Sequence, residues 1–323
     1  MGLQFKDLVV KKEISLSSLK GKVLAVDSMN ILYQFLTTIR SADGSVLTTQ
    51  DGRVTSHLIG LFNRTTSLME QGLKLVFVFD GKAPEIKKKT WEKREIVKQE
   101  ASLKLKEAEE AGDVAGMKKF SARTARLTSD MIADAKTLIN ALGLPLVQSP
   151  SEGEAQTAFM VKQGKAYGSI SQDYDNLIFG CPRLIKNASI AGKRKKTGTL
   201  AYITVKPEEI LLDDVLAHLE LTQDQLIVLA IIVGTDYNPG GIKGLGPKKG
   251  IKAVKEDGLD FNKLFSEINW DEHYPDLPWR ESYDTIKNIP VTDDYQLEWK
   301  KPNIEELKNL LVDEFSFSEE RIS

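Results

Sequence analysis

Apolar residues along this chain come in short, dense runs that stop at acids. The stretches KVLAVDSMN and LKLVFVFDGKAPE are continuous, rich in β-branched residues and closed by Asp27 and Asp80. That is the pattern of buried parallel strands with an acid at the carboxyl end. Between them, Leu58, Leu61, Phe62, Thr65, Leu68 and Met69 recur at helical spacing, and Gly72 suits the helix end. Strand, helix, strand in that order predicts a right-handed crossover, and in such open sheets ligands gather where the strands end. The alternation resumes with SDMIADAKTLINALG as a helix, LPLVQS as a strand, PSEGEAQTAFMVKQ as a helix opening at Pro150-Ser151, and AYGSISQD as a strand. PRLIKNASIAGKRKKTGTLAYITVK reads as a hairpin with a basic tip, a solvated turn in preference to a nuclear-localisation signal. From Pro207 the chain turns helical: PEEILLDDVLAHLEL is followed by TQDQLIVLAIIVGTD, whose Thr222 and Gln225 form a capping-box pattern before an all-apolar, buried run. NIEELKNLLVDEF repeats that pattern near the end. The predicted class is α/β, with a mostly parallel central sheet flanked by helices.

One segment breaks the pattern. Residues 87–126 are polar and helix-favouring, with 12 Lys/Arg against 7 Asp/Glu. Too few apolar residues anchor them to a core, so projecting helices are expected; a solvated, salt-bridged helix pair is the plainer alternative. Elsewhere the composition is that of a globular protein: 323 residues, 41% hydrophobic and 28% charged, enough for about two domains. No apolar run approaches the roughly 20 residues of a membrane span, and the start MGLQFKDLVVKKEIS lacks a signal peptide's apolar stretch. An intracellular protein with no membrane contact is expected.

A single cysteine, Cys181, and three scattered histidines leave no zinc cluster. Any metal must be held by carboxylates, which favours magnesium or manganese. The net charge of −2 hides a split between an acidic pocket and basic surfaces. In SISQDYDNLIFG, Asp173 and Asp175 flank one tyrosine, and two like charges that close resist burial unless a cation accompanies them. Glu152 and Glu154 lie in the first turn of a helix, where the macrodipole tolerates acid, and Asp236 stands where the apolar helix ends. Singly these are strand-end caps, helix-start decoration or a D-x-D pair such as phosphatases use. Together, seven carboxylates delivered to one sheet edge are tolerable only with two divalent ions, the device that clamps attacking and leaving oxygens in phosphoryl transfer.

The basic surfaces follow the acids. Residues 240–255 contain five lysines and no acid. Gly244 and Gly246 there let backbone N–H groups approach phosphate at a helix start, with Lys248, Lys249 and Lys252 beside them. The spacing G-x-G-x-x-x-G after a helix does not match a Rossmann loop; a grip on duplex backbone fits better. Lys82, Lys87 and Arg94 follow Asp80 closely and can lean over the acids to steady charge on a scissile phosphate. Tyr33 can stack on a base or simply pack.

With these residues in view, the chain resembles the flap endonucleases of the structure-specific 5′ nuclease superfamily, related to exonuclease 1 and the excision-repair nuclease. MGLQFKDL, AVDSMNILYQFL, TSHLIGLF, FVFDGKAPEIKK, QSPSEGEAQ, SQDYDNLIFG, GTDYNPGGIKGLGPKKG and WKKPNIEEL occur in the family's order along nearly the whole chain. The resemblance implies that Asp27, Asp80, Glu152, Glu154, Asp173, Asp175 and Asp236 bind two Mg2+, with Mn2+ able to substitute, and that Lys87 and Arg94 are catalytic. It makes Tyr33 the stacking aromatic and places Gly2 near the active site. It puts Thr55 and WKKPNIEEL near a pocket for a one-nucleotide 3′ flap, and makes 234–255 a helix-two-turn-helix element that holds duplex and, in relatives, K+. It divides the chain into residues 1–100, an N-terminal nuclease region; 87–126, a helical arch for the single-stranded 5′ end; 127–260, an internal nuclease region; and 261–323, a C-terminal extension. The implied activity is cleavage of 5′ flaps at duplex junctions, with 5′–3′ exonuclease action, in Okazaki-fragment maturation and base-excision repair, by a monomer. The family's C-terminal sliding-clamp peptide is missing from this chain, which ends FSEERIS, so that partner stays open. A noncatalytic junction-binding protein of the same fold and a metal-dependent small-molecule phosphatase are the alternatives.

Overall fold

The computed structural model describes residues 5–190, 192–195 and 202–321; Gly2 and the hairpin tip lie outside them. In chain order the strands are β1 (Lys12–Glu13), β2 (Val23–Asp27), β3 (Lys74–Phe79), β4 (Leu146–Gln148), β5 (Gly168–Ile170), β6 (Arg183–Lys186), β7 (Gly192–Lys195), β8 (Tyr202–Val205) and β9 (Glu208–Leu211). The helices are α1 (Ser28–Thr38), α2 (Ser56–Glu70), α3 (Lys88–Glu110), α4 (Val114–Ser121), α5 (Ser129–Ala141), α6 (Gly153–Lys162), α7 (Asp175–Ile178), α8 (Leu212–Leu219), α9 (Gln223–Val233), α10 (Pro247–Glu256), α11 (Phe261–Glu267), α12 (Trp270–His273), α13 (Trp279–Lys287) and α14 (Ile304–Lys308). Among the described residues no single helix is long and apolar enough to cross a membrane.

The central sheet has seven strands in the order β1-β9-β6-β5-β2-β3-β4. Strands β4, β3, β2, β5 and β6 are parallel, and β9 and β1 close one edge antiparallel. The β-branched runs sit at the centre because both sheet faces are covered. One core packs α1, α2, α5 and α14 against Leu24, Val26, Leu75 and Phe77; the other packs α6, α7 and α9 against Ala25, Val76 and Val78. Alternate residues of each strand thus serve opposite cores. The capping box predicted at Thr222 and Gln225 forms, and α9 is buried all round, as its unbroken apolar run requires.

Three expectations change. PRLIK is a strand of the central sheet, β6 beside β5, and only β7 and β8 form the separate hairpin. The run after Pro207 is strand before it is helix: Glu208–Leu211 pairs with β6, and helical spacing holds only from Leu212. Finally, β5 stops at Ile170, so Asp173 lies in a bend and Asp175 opens the short helix α7.

Helices α3 and α4 form a polar pair, with Ala101 and Ala108 buried and the Ala108 methyl close to Gly116 of α4. The pair is tied down at its far side: Arg40 donates to Gly44 O at 2.9 Å and to Ser121 Oγ, which in turn donates to Gly44 O. Gly44 has φ +94°, and a Cβ there would lie 2.7 Å from the Lys118 backbone, so only glycine fits that turn.

Candidate functional site

Parallel pairing sets the acids level with one another. Asp27 is opposite Val78, which leaves Asp80 two residues beyond, and Val26 is opposite Ile170, which brings Ser171 level with Asp27. Phe79 is opposite Gln148, so the chain leaving β4 reaches α6 beside Asp80; Gly153 N donates to Asp80 Oδ1 at 2.7 Å. Glu152 is the N-cap residue of α6 and Glu154 lies in its first turn.

Each carboxylate feels the others. Asp27 is 3% exposed, and burial, then Asp80 and Asp173, push its carboxyl up to about 8. Asp80 keeps an open side to solvent, yet the protein behind it and the neighbouring Glu152 raise it to about 6. Glu154 is raised well above the carboxylate range by burial, then by Asp175, Asp27 and Asp173. Asp236 joins through cations: Arg94 Nη2 donates to both its carboxylate oxygens, at 2.7 and 2.6 Å. Lys87 donates to Glu152 and lies 3.8 Å from Asp236. Burial alone would lower the Lys87 ammonium, but Glu152 and Asp236 outweigh it and the group is held protonated. All seven predicted acids thus lie in one electrostatic neighbourhood.

Among the described residues, no three acidic or imidazole groups close on one point as an ion's ligands would. Lys87 and Arg94 engage Glu152 and Asp236 instead, and a backbone amide donates to Asp80. The donor set nevertheless fits hard divalent ions, being carboxylate oxygen throughout, partly desolvated and short of compensating charge.

Several residues that build the site were not singled out from sequence. Asn30 Nδ2 donates to Asp173 Oδ2 at 2.8 Å while Asn30 Oδ1 accepts from Gln172 N at 3.1 Å. Ser171 Oγ donates to Asp27 Oδ2 at 3.1 Å, and Thr90 Oγ1 donates to Asp236 O. Lys186, 7% exposed, donates to Gln172 O and lies 3.4 Å from the centroid of the Tyr174 ring. Tyr237 supports the Lys87 ammonium 5.0 Å above its ring, and its buried hydroxyl has no partner among the described residues. The signal for Asn30 and Ser171 was adjacency to the acid motifs; for Lys186 there was none.

The other predicted residues are dispersed. Tyr33 is 40% exposed on α1. Lys82 is exposed just past Asp80. Thr55 is buried at the start of α2. Nearby, Arg53 bonds Glu314 O and lies 4.7 Å from the Phe315 ring centroid, which links this loop to the C-terminal segment. Gly246 caps α10 and Pro247 opens it, leaving Lys248, Lys249 and Lys252 exposed. Gly244, at φ +87°, turns the chain before them with open space around it. Tyr274 Oη braces this loop, donating toward Gly241 O at 3.1 Å and Asn238 O at 3.2 Å.

The comparisons with known proteins agree with this geometry. Residues 3–101 match the XPG N-terminal domain and residues 143–236 the XPG I-region. Flap endonuclease 1 of Pyrococcus abyssi is 48% identical over 322 residues, covering 100% of this chain and 92% of its own length. The chain belongs to the flap endonuclease family. Flap endonuclease 1 of Aeropyrum pernix is 46% identical over 325 residues, covering 100% of this chain and 92% of its own. The solved flap endonuclease-1 of Methanococcus jannaschii superposes with a TM-score of 0.75 at 39% identity, covering 99% and 95% of the two chains. The catalytic core of Rad2 in complex with DNA substrate shares the fold, with a TM-score of 0.71 at 24% identity and coverage of 99% and 97%. As a flap endonuclease, this protein is a metal-dependent DNA nuclease that hydrolyses phosphodiester bonds, acts on DNA and serves replication and repair.

Proposed function

We propose that the seven clustered carboxylates, Asp27, Asp80, Glu152, Glu154, Asp173, Asp175 and Asp236, hold two Mg2+ ions at the carboxyl end of the sheet. In this reading the enzyme cuts a 5′ flap at its junction with duplex, and also trims 5′ ends. The observation that carries it is the placement of Lys87 and Arg94. These two cations, Lys87 at the N-cap of α3 and Arg94 in its second turn, are the groups now matched to Glu152 and Asp236, so a phosphate entering the site would be drawn to them first.

When bound, the two ions supply the Lewis acidity that activates water and screens the leaving oxygen. The chain does the rest. Asn30 and Ser171 hold Asp27 and Asp173 in register. Lys87 and Arg94 exchange carboxylate for the scissile phosphate and stabilise the charge that grows on its oxygens. Tyr33 stacks on a base beside the cut. The lysines of α10 grip duplex backbone without reading sequence, the helix-two-turn-helix loop before them would hold a K+, and the pair α3–α4 arches over the 5′ single strand. The products are a released flap and a ligatable nick with a 5′-phosphate.

The test uses a labelled double-flap duplex, with Asp175→Ala beside wild type. Cleavage at the junction in Mg2+, lost with EDTA and lost in the variant while binding persists, is the expected result. Turnover of a small phosphate monoester with no cleavage of the flap would refute the assignment.

A further inference from the structure

The start of α3 presents more than its cations to the site. Lys87, the N-cap of α3, and Arg94 engage the carboxylates of Glu152 and Asp236, and Thr90 donates to the Asp236 backbone carbonyl, so their stripe faces the acidic site. At about 100° per residue, position 91 falls roughly 40° from 87 and 60° from 94 on the helix wheel. Trp91 therefore sits on the flank of that stripe. Trp91 is 48% exposed, whereas Trp270 is buried and Trp279 and Trp299 are half-buried. It also lies beside Lys87 and Arg94, the cations to which the proposed function gives the scissile phosphate. Along a nucleic-acid strand, bases and phosphates alternate, so cations and an open aromatic on one helix face match the two kinds of surface one strand offers.

We infer that Trp91 is a substrate-contacting specificity residue, stacking on an unpaired base of the strand whose phosphate lies at Lys87 and Arg94. This deepens the proposed function and rests on it. Base pairing hides both faces of a base within a duplex stack, so such a contact favours DNA whose strand is single at the junction. Tyr33, exposed on α1, follows the acid motif from the opposite side of the chain order, and Trp91 would be a second, independent stacking surface. Stacking of this kind tolerates any base identity, as a structure-selective nuclease requires.

Binding is measured in Ca2+, to allow assembly without turnover, for wild type, Trp91→Phe and Trp91→Ala. The substrates are an intact flap, a flap abasic at its first three single-stranded nucleotides, and a plain duplex. Wild-type tryptophan emission should be quenched by the intact flap and not by the abasic one, and the quench should vanish in Trp91→Phe, since the other three tryptophans stay. Trp91→Ala should bind the intact flap on the order of ten-fold more weakly, Trp91→Phe should fall between, and neither should differ from wild type on the abasic flap or the duplex. Equal affinity of all three for the intact flap, or the same loss on the abasic flap, would overturn the stacking role alone. Wild-type failure to prefer the intact flap over duplex would overturn the functional reading and this one with it.

Discussion

Asn30 shows how much of the site rests on residues that hold no charge. It links the first turn of α1 to the bend before α7 by donating to Asp173 and accepting from Gln172, across 143 and 142 positions of sequence. Asn30→Ala should loosen Asp173 while leaving both aspartates present. The expected outcome is a 10- to 100-fold weaker apparent affinity for the metal, read by titrating Mn2+ against the apoprotein, with flap binding in Ca2+ little changed. An affinity equal to wild type would show that Asp173 is positioned without it. The acids themselves were legible because each closes a run or opens a helix, positions where a charged residue contradicts its apolar surroundings. Lys186 was not, because a polar residue at the end of an apolar strand looks the same in sequence whether it supports a site or merely satisfies a neighbour; Asn30 and Ser171 offered only their closeness to the acids, which does not say which distant group a side chain will hold.

At the level of elements, the α9–α10 unit was readable because its chemistry is local. The apolar run, the glycines and the lysines follow one another directly, and Gly250 lets α10 approach α9 closely: a Cβ there would lie 2.8 Å from Leu229 Cδ1. Replacing Lys248 and Lys249 together by alanine should weaken duplex binding at low salt for all sequences alike. It should also lower the slope of log affinity against log salt by roughly 1 for each phosphate contact removed. An unchanged slope would place the duplex elsewhere. Strand β9 was unreadable for the opposite reason. Its four residues carry two glutamates, and only pairing with β6 and β1 makes a strand of them, a decision made by distant sequence. The same applies to the tie between Arg40, Gly44 and Ser121, which joins the polar helix pair to a turn more than 70 residues away.

For the whole molecule, the acidic cluster sets a conflict between folding and pH that divalent ions should relieve. Asp27 is raised to about 8 in the folded protein from about 4 when unfolded. Between those values the native state binds more protons than the unfolded state, so stability falls as pH rises. Asp80, raised to about 6, adds to the same fall over the lower part of that range. His57 works the other way below its unfolded value: burial lowers it to about 4, so acid favours unfolding between about 6.5 and 4. Burial also lowers Lys186 to about 8, so further alkali favours the folded state above that point. The window between pH 6.5 and 8 is where Asp27 and Glu154, itself raised well above the carboxylate range, should dominate together. The metal-free protein should lose several degrees of Tm across it, and Asp27→Asn should make the trend shallower, since the amide does not titrate while Glu154 still does. Saturating Mg2+ should raise Tm at every pH in the window, and more at pH 8 than at 6.5, because ions compete with protons for the same oxygens. Thermal unfolding in EDTA and in Mg2+ at four pH values tests this directly. A Tm that rises from pH 6.5 to 8 without metal, or an Mg2+ increment that shrinks over that range, would mean that the buried carboxylates do not govern the molecule's stability.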